Sequence, residues 1–131
     1  MLLEVMLFYM EESKLRISAS GASYKGACRE NNEDSYQMGA YFKEYDIEYD
    51  SYSCDPSETS SNRYYILSVF DGMGGGENGE LASLYAAEEF RSAYMKIYNG
   101  SYTPEATEII LRDAFQSANN RIMRDTSEIL G

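Results

Sequence analysis

Apolar positions along this chain recur first every second residue and later at helical intervals. Leu15, Ile17 and Ala19 alternate with Arg16, Ser18 and Ser20, the period of a half-buried strand. Gly21 and Gly26 then bracket an expected loop, and Asp34-Ser35-Tyr36-Gln37-Met38 reads as the next strand. Tyr64-Tyr65-Ile66-Leu67-Ser68-Val69-Phe70 is almost unbroken aromatic and branched apolar sequence, the composition of a strand buried on both faces. From Glu80 the period lengthens. Leu81, Leu84, Tyr85, Phe90, Tyr94 and Ile97 recur at helical spacing until Asn99-Gly100 ends the run. Thr103-Pro104 then offers an N-cap followed by an N1 proline. Beyond it Ala106, Ile110, Ala114, Ala118 and Ile122, flanked by Leu111 and Phe115, form one apolar face. Strands followed by helices predict an α+β fold: two antiparallel helices on a three- or four-stranded sheet, with no layer to cover the sheet's other face.

Two stretches fit this pattern less simply. Met1-Leu2-Leu3-Glu4-Val5-Met6-Leu7-Phe8-Tyr9-Met10 is too short to span a membrane and lacks the basic start of a signal peptide. It is either an extra edge strand or the product of an upstream start site. Residues 41–62 interleave Tyr41, Tyr45, Tyr49 and Tyr52 with Glu44, Asp46, Glu48 and Asp50, and Asp55-Pro56-Ser57 marks a turn. Strict alternation over Tyr45–Asp50 favours a hairpin extension over a helix, and the whole stretch reads as a solvated acidic, Tyr-rich insertion. A calcium loop starting at Asp46 fails, because Ser51 stands at the glycine position and Ser57 at the final glutamate position.

Charge narrows the partners. Twenty-two acidic against eleven basic residues give a net charge of −11, which argues against nucleic acid and anionic membrane surfaces. There is no histidine, so imidazole metal ligands and Ser-His triads are excluded within the chain. Cys28 and Cys54 have no metal-pair spacing, and free thiols in a reducing cytoplasm are the expectation.

The candidate chemistry begins where the central strand ends. Asp71 is followed by four glycines among five residues, Gly72-Met73-Gly74-Gly75-Gly76. A carboxylate at a strand end, next to backbone stripped of side chains, suits a hard cation and its oxygen-rich ligand. Gly74-x-Gly76-x-x-Gly79 has dinucleotide-fingerprint spacing, but Asp71, Glu77 and Glu80 would repel a pyrophosphate. A Walker-A reading fails because Glu80-Leu81 stands where Lys-Ser/Thr is needed. Upstream, Arg29-Glu30-Asn31-Asn32-Glu33-Asp34 supplies a guanidinium and several carboxylates at the start of another strand. Carboxylates collect divalent metal, and an arginine fork grips phosphate bidentately. Metal and phosphate clamp together, without histidine, point to metal-activated water attacking phosphorus.

Gly21-x4-Gly26-x2-Arg29-x2-Asn32-Glu33-Asp34, then Asp71-Gly72-Met73-Gly74-Gly75 and Gly79-Glu80-x-Ala82-Ser83, resembles the first half of a bacterial-type protein phosphatase 2C domain, the metal-dependent (PPM-type) serine/threonine phosphatases. The resemblance runs from about Ile17 to the chain's end, apart from residues 41–62. It implies an αββα sandwich, two antiparallel sheets flanked by helix pairs, with two Mn²⁺ or Mg²⁺ ions between the sheets. Residues 1–131 would be the N-terminal part of one such domain. By this resemblance Asp71 bridges both metals, the Gly72 carbonyl ligates one, and Glu33 and Asp34 hold the second directly or through water. Arg29 binds the substrate phosphate, so Arg29, Asp34 and Asp71 are the implied catalytic set. The implied nucleophile is a hydroxide bridging the two metals. The implied substrates are phosphoserine and phosphothreonine proteins, with a cognate kinase as counterpart.

Two departures qualify this. Animal members often carry histidine after the Asp-Gly, and here Met73 stands there. The family's later Gly-Asp-Ser strand, second Asp-Gly and terminal Asp-Asn are absent, so the expectation is an N-terminal fragment or shortened gene model, inactive alone. The competing class is a non-catalytic phosphatase-like interaction module. Such a module is expected to lose the arginine or the bridging aspartate, and both are present.

Overall fold

The computed structural model describes residues 3–9, 17–55, 64–72 and 78–129. Six strands precede two helices: β1 (Leu3–Tyr9), β2 (Ala19–Tyr24), β3 (Ser35–Met38), β4 (Tyr41–Phe42), β5 (Tyr49–Cys54), β6 (Tyr64–Phe70), α1 (Gly79–Asn99) and α2 (Pro104–Ile129). They form two antiparallel sheets, one of four strands in the order β1-β6-β3-β4 and one pairing β2 with β5. The α+β class is as expected. Leu15, Arg16, Pro56, Ser57 and the stretch Met73–Glu77 lie outside the described residues. Among the described residues no helix is long and apolar enough to cross a membrane.

The apolar β6 lies between β1 and β3, which explains its nearly continuous burial. Its register sets the two faces. Ser35 opposes Phe70 and Gln37 opposes Ser68, while Tyr36 opposes Val69 and Met38 opposes Leu67. The first set faces α1: the Phe70 and Phe90 rings lie 5.4 Å apart, and Ser68 donates to Gln37 Oε1 at 2.9 Å. The second set faces β2 and β5. Gly21 makes this possible, since a Cβ there would meet Met38 Sδ at 2.9 Å and Tyr36 Cε2 at 3.1 Å. Gly21 therefore does not begin a loop. It sits inside β2 opposite Tyr52, and the strand continues to Tyr24.

Residues 41–54 also correct the sequence reading. The alternation does mark a strand, shifted to Tyr49–Cys54, but its partner is β2 and not a neighbouring hairpin arm. Lys43 and Cys54 are buried, Tyr41 stacks on Tyr52 at 4.0 Å, and Asp50 accepts hydrogen bonds from Tyr36 and Tyr41, each 2.6 Å. Burial and then its own bond to Asp50 push the Tyr41 hydroxyl up to about 12. The stretch thus supplies half of the second sheet, and only part of it is solvated. The face expected to be bare is partly covered by β2 and β5, while Val69 remains 56% exposed. Within the apolar N-terminal run, Leu3–Tyr9 form an edge strand, with Leu3 opposite Phe70 and Tyr9 opposite Tyr64, while Met1, Leu2 and Met10 lie outside the described residues.

Contacts between the helices make them antiparallel. Arg121 pairs with Glu88 at 2.6 Å and lies 3.9 Å over the Tyr85 ring, while Phe115 meets Phe90 edge-on at 4.8 Å. The N-cap reading of Thr103 holds, its hydroxyl accepting from the Ala106 amide at 3.2 Å. On α1 the buried line runs through Ser83, Ala86, Ala87, Phe90, Ala93, Tyr94 and Ile97, leaving Leu81, Leu84 and Tyr85 half-buried. Small residues there let the helix lie close to the sheet.

Candidate metal and phosphate site

The ladder between β3 and β6 places the two acidic motifs side by side. Because Ser35 opposes Phe70 in an antiparallel pair, Asp34 just before β3 comes next to Asp71 just after β6. Their carboxyls face each other at a polar cavity of about 140 Å³. Arg29, Glu33, Asp34, Asp71 and Gly72 all line this cavity, together with Tyr24, Lys25, Asn31 and Asn32. Every site residue expected from the sequence is therefore in one place. A larger cavity of about 440 Å³ between the sheets is lined mostly by β2, β3 and β6 and shares Tyr24 and Asp34 with this one. The convergent charges belong to the smaller cavity.

Asp34 and Asp71 are both solvent-exposed, yet partial burial first, and then the facing Asp71 carboxylate, push the Asp34 carboxyl above the ordinary aspartate range. The Gly72 amide and Lys43 pull the other way. Among the described residues no group of three or more His, Cys, Asp and Glu side chains is placed to hold a metal, so Asp34 and Asp71 form the close carboxyl pair. Arg29 is exposed and makes no ion pair among the described residues, although the chain carries 22 acids. Lys25, its cationic neighbour in the lining, is held by Glu48 at 2.7 Å.

Three side chains without a role in the sequence reading fix the Asn32–Asp34 loop. The Asn32 carboxamide accepts from the Asp34 amide at 3.2 Å and donates to Ser23 Oγ at 2.9 Å and to the Ile47 carbonyl at 3.3 Å. This ties the loop to β2 and to the turn before β5. Ser83 of α1 donates to the Glu33 carbonyl at 2.6 Å. Lys43, only 3% exposed, donates to the Asp34 carbonyl at 2.9 Å. Burial pushes its ammonium below the usual lysine range, against the opposing pull of Asp50, Asp34 and Asp46. Asn32 and Ser83 stand inside the quoted motifs and were visible there. Lys43 gave no signal, since a lone lysine in an acidic stretch reads as solvated.

Removing the Ser83 hydroxyl leaves a part-buried carbonyl without its donor. Ser83→Ala should lower stability by about 1–2 kcal/mol in urea denaturation. An unchanged midpoint would show that the Glu33 carbonyl finds another partner.

No family model matches the chain, and no curated protein or solved structure matches it.

Proposed function

We propose that this chain carries the metal- and phosphate-binding part of a cytoplasmic PPM-type phosphatase domain that dephosphorylates phosphoserine and phosphothreonine in proteins. The observation that supports this reading most is the shared cavity: an arginine with no described ion-pair partner lines it with two carboxyls pressed together against their own repulsion. A divalent cation relieves such a pair, and an all-oxygen donor set suits Mn²⁺ or Mg²⁺. Asp71, the Gly72 carbonyl, Glu33 and Asp34 would hold it, the last two directly or through water. When bound, the ion supplies a water acidic enough to attack phosphorus at neutral pH.

The chain's own residues do the rest. Arg29 grips the phosphate's oxygens and orients the ester, and among the described residues no acid competes for its charge. Asn32, Ser83 and Lys43 keep the Glu33–Asp34 backbone in place as the substrate binds. Hydrolysis breaks the bond between phosphorus and the side-chain oxygen, returning a serine or threonine hydroxyl and inorganic phosphate. All four proposed ligands line one small cavity, in place of the division between two ions that the resemblance implies, so a second ion would find Asp71 alone among them. The 131 residues should therefore bind one Mn²⁺ and turn over aryl phosphate no faster than background.

Titration of Mn²⁺ by calorimetry, followed by inorganic phosphate with and without Mn²⁺, tests the reading. One Mn²⁺ site and metal-dependent phosphate binding are expected. Absence of both would favour the non-catalytic module. Arg29→Ala should weaken phosphate binding by about 10- to 100-fold, the worth of charge-assisted hydrogen bonds, while Mn²⁺ affinity stays within about twofold. A matching loss of Mn²⁺ affinity would remove Arg29 as a phosphate clamp.

A further inference from the structure

Tyr24 and Tyr49 are directly opposed at the end of the β2–β5 ladder. They are 67% and 61% exposed, and their rings meet edge-on at 6.3 Å. Tyr24 also lines the candidate site cavity, so this aromatic pair is continuous with the wall that carries Arg29. Exposed aromatic surface of this kind gives up water readily when an apolar group covers it. Two charged groups beside it are already occupied. Lys25 is held by Glu48, through the side chains at 2.7 Å and the backbone at 2.9 Å, and Asp50 accepts from Tyr36 and Tyr41. The rings themselves offer a ligand apolar surface at this rim.

We propose that the Tyr24–Tyr49 pair docks an aromatic or aliphatic side chain of the phosphorylated protein segment, within a few residues of the phosphate held at Arg29. This rests on the function proposed above and adds a substrate class to it. An extended peptide advances about 3.3 Å per residue, so a neighbour of the phosphorylated residue reaches the rim while the phosphate stays in the cavity. The rings also favour a protein substrate over a bare phosphate, which leaves the rim empty. An acidic neighbour would meet the field of a chain with net charge −11.

Calorimetry on the whole 131-residue chain with Mn²⁺ tests this, using inorganic phosphate, AMP and three phosphothreonine peptides that differ only in a flanking Phe, Gly or Glu. The Phe peptide should bind about tenfold tighter than the Gly peptide, and the Glu peptide should bind weakest. Tyr49→Ser should erase the Phe preference while leaving inorganic phosphate binding unchanged, and Tyr49→Phe should restore it. Peptides bound alike, a Phe preference that survives Tyr49→Ser, or AMP bound more tightly than the Phe peptide would each overturn the docking proposal alone. Failure of the wild-type chain to bind inorganic phosphate would remove the site itself, and the docking proposal with it.

Discussion

Asp71→Asn should weaken Mn²⁺ binding by about 100-fold or more and leave the metal-free protein at least as stable as the wild type at pH 7. The first effect follows from losing the charge of the one carboxylate assigned to every metal contact, since ligand charge count sets affinity for hard cations. The second follows from the facing pair. Burial and Asp71 raise the Asp34 carboxyl above its ordinary range in the folded chain. A group raised on folding contributes stability that is full below its unfolded pKa and is lost as pH rises through its folded value. At pH 7 the wild type has lost that contribution, whereas in the variant the part due to Asp71 no longer exists to be lost. Near pH 3 the two proteins should differ least. Calorimetric Mn²⁺ titration together with thermal scans at both pH values gives the answer. A variant that binds Mn²⁺ normally, or that melts lower at pH 7 without metal, would show that Asp34 and Asp71 do not form a mutually repelling carboxylate pair that holds a cation.

That pair was legible because it rests on chain order and strand ends alone. Asp71 closes an unmistakably apolar strand and Asp34 leads into a strand paired with it, so one antiparallel register brings them together. Two helix limits were legible for a similar reason: Asn99-Gly100 and Thr103-Pro104 are local signals, and α1 ends at the first while α2 begins at the second. The helix face was harder to read. Hydrophobicity favoured Leu81, Leu84 and Tyr85, whereas close packing on the sheet selected Ser83, Ala86 and Ala87. Gly21 misled because a glycine inside a strand looks like a turn until its neighbours are known, and the Tyr36 and Met38 side chains are that neighbourhood. Residues 41–54 misled because β2, the partner of β5, lies some thirty residues upstream, and composition cannot express that pairing. Lys43 belongs to the same class: its burial depends on Asp34 and Asp50 converging from different elements.

Gly72→Ala should lower stability by about 3 kcal/mol and reduce Mn²⁺ affinity as well, unlike Asp71→Asn, which reduces affinity alone. A methyl group on Gly72 would overlap the Glu33 carbonyl oxygen, and it would meet the Gly79 carbonyl oxygen at 2.7 Å and Glu33 Cβ at 2.9 Å. Two of these are backbone atoms on different segments, one fixed by Ser83 and the other opening α1, so neither can turn aside as a side-chain tip would. The Glu33 loop must then move off the end of β6. That breaks the Ser83 hydrogen bond and separates Asp34 from Asp71. For a chain of this size the melting temperature should fall by roughly 10 °C. If Gly72→Ala kept its melting temperature, the close approach of the two motifs would be wrong. If it melted lower yet bound Mn²⁺ normally, the cation would not depend on the Gly72 carbonyl or on the loop it supports, and the ligand set proposed for this site would shrink to Asp71 and water.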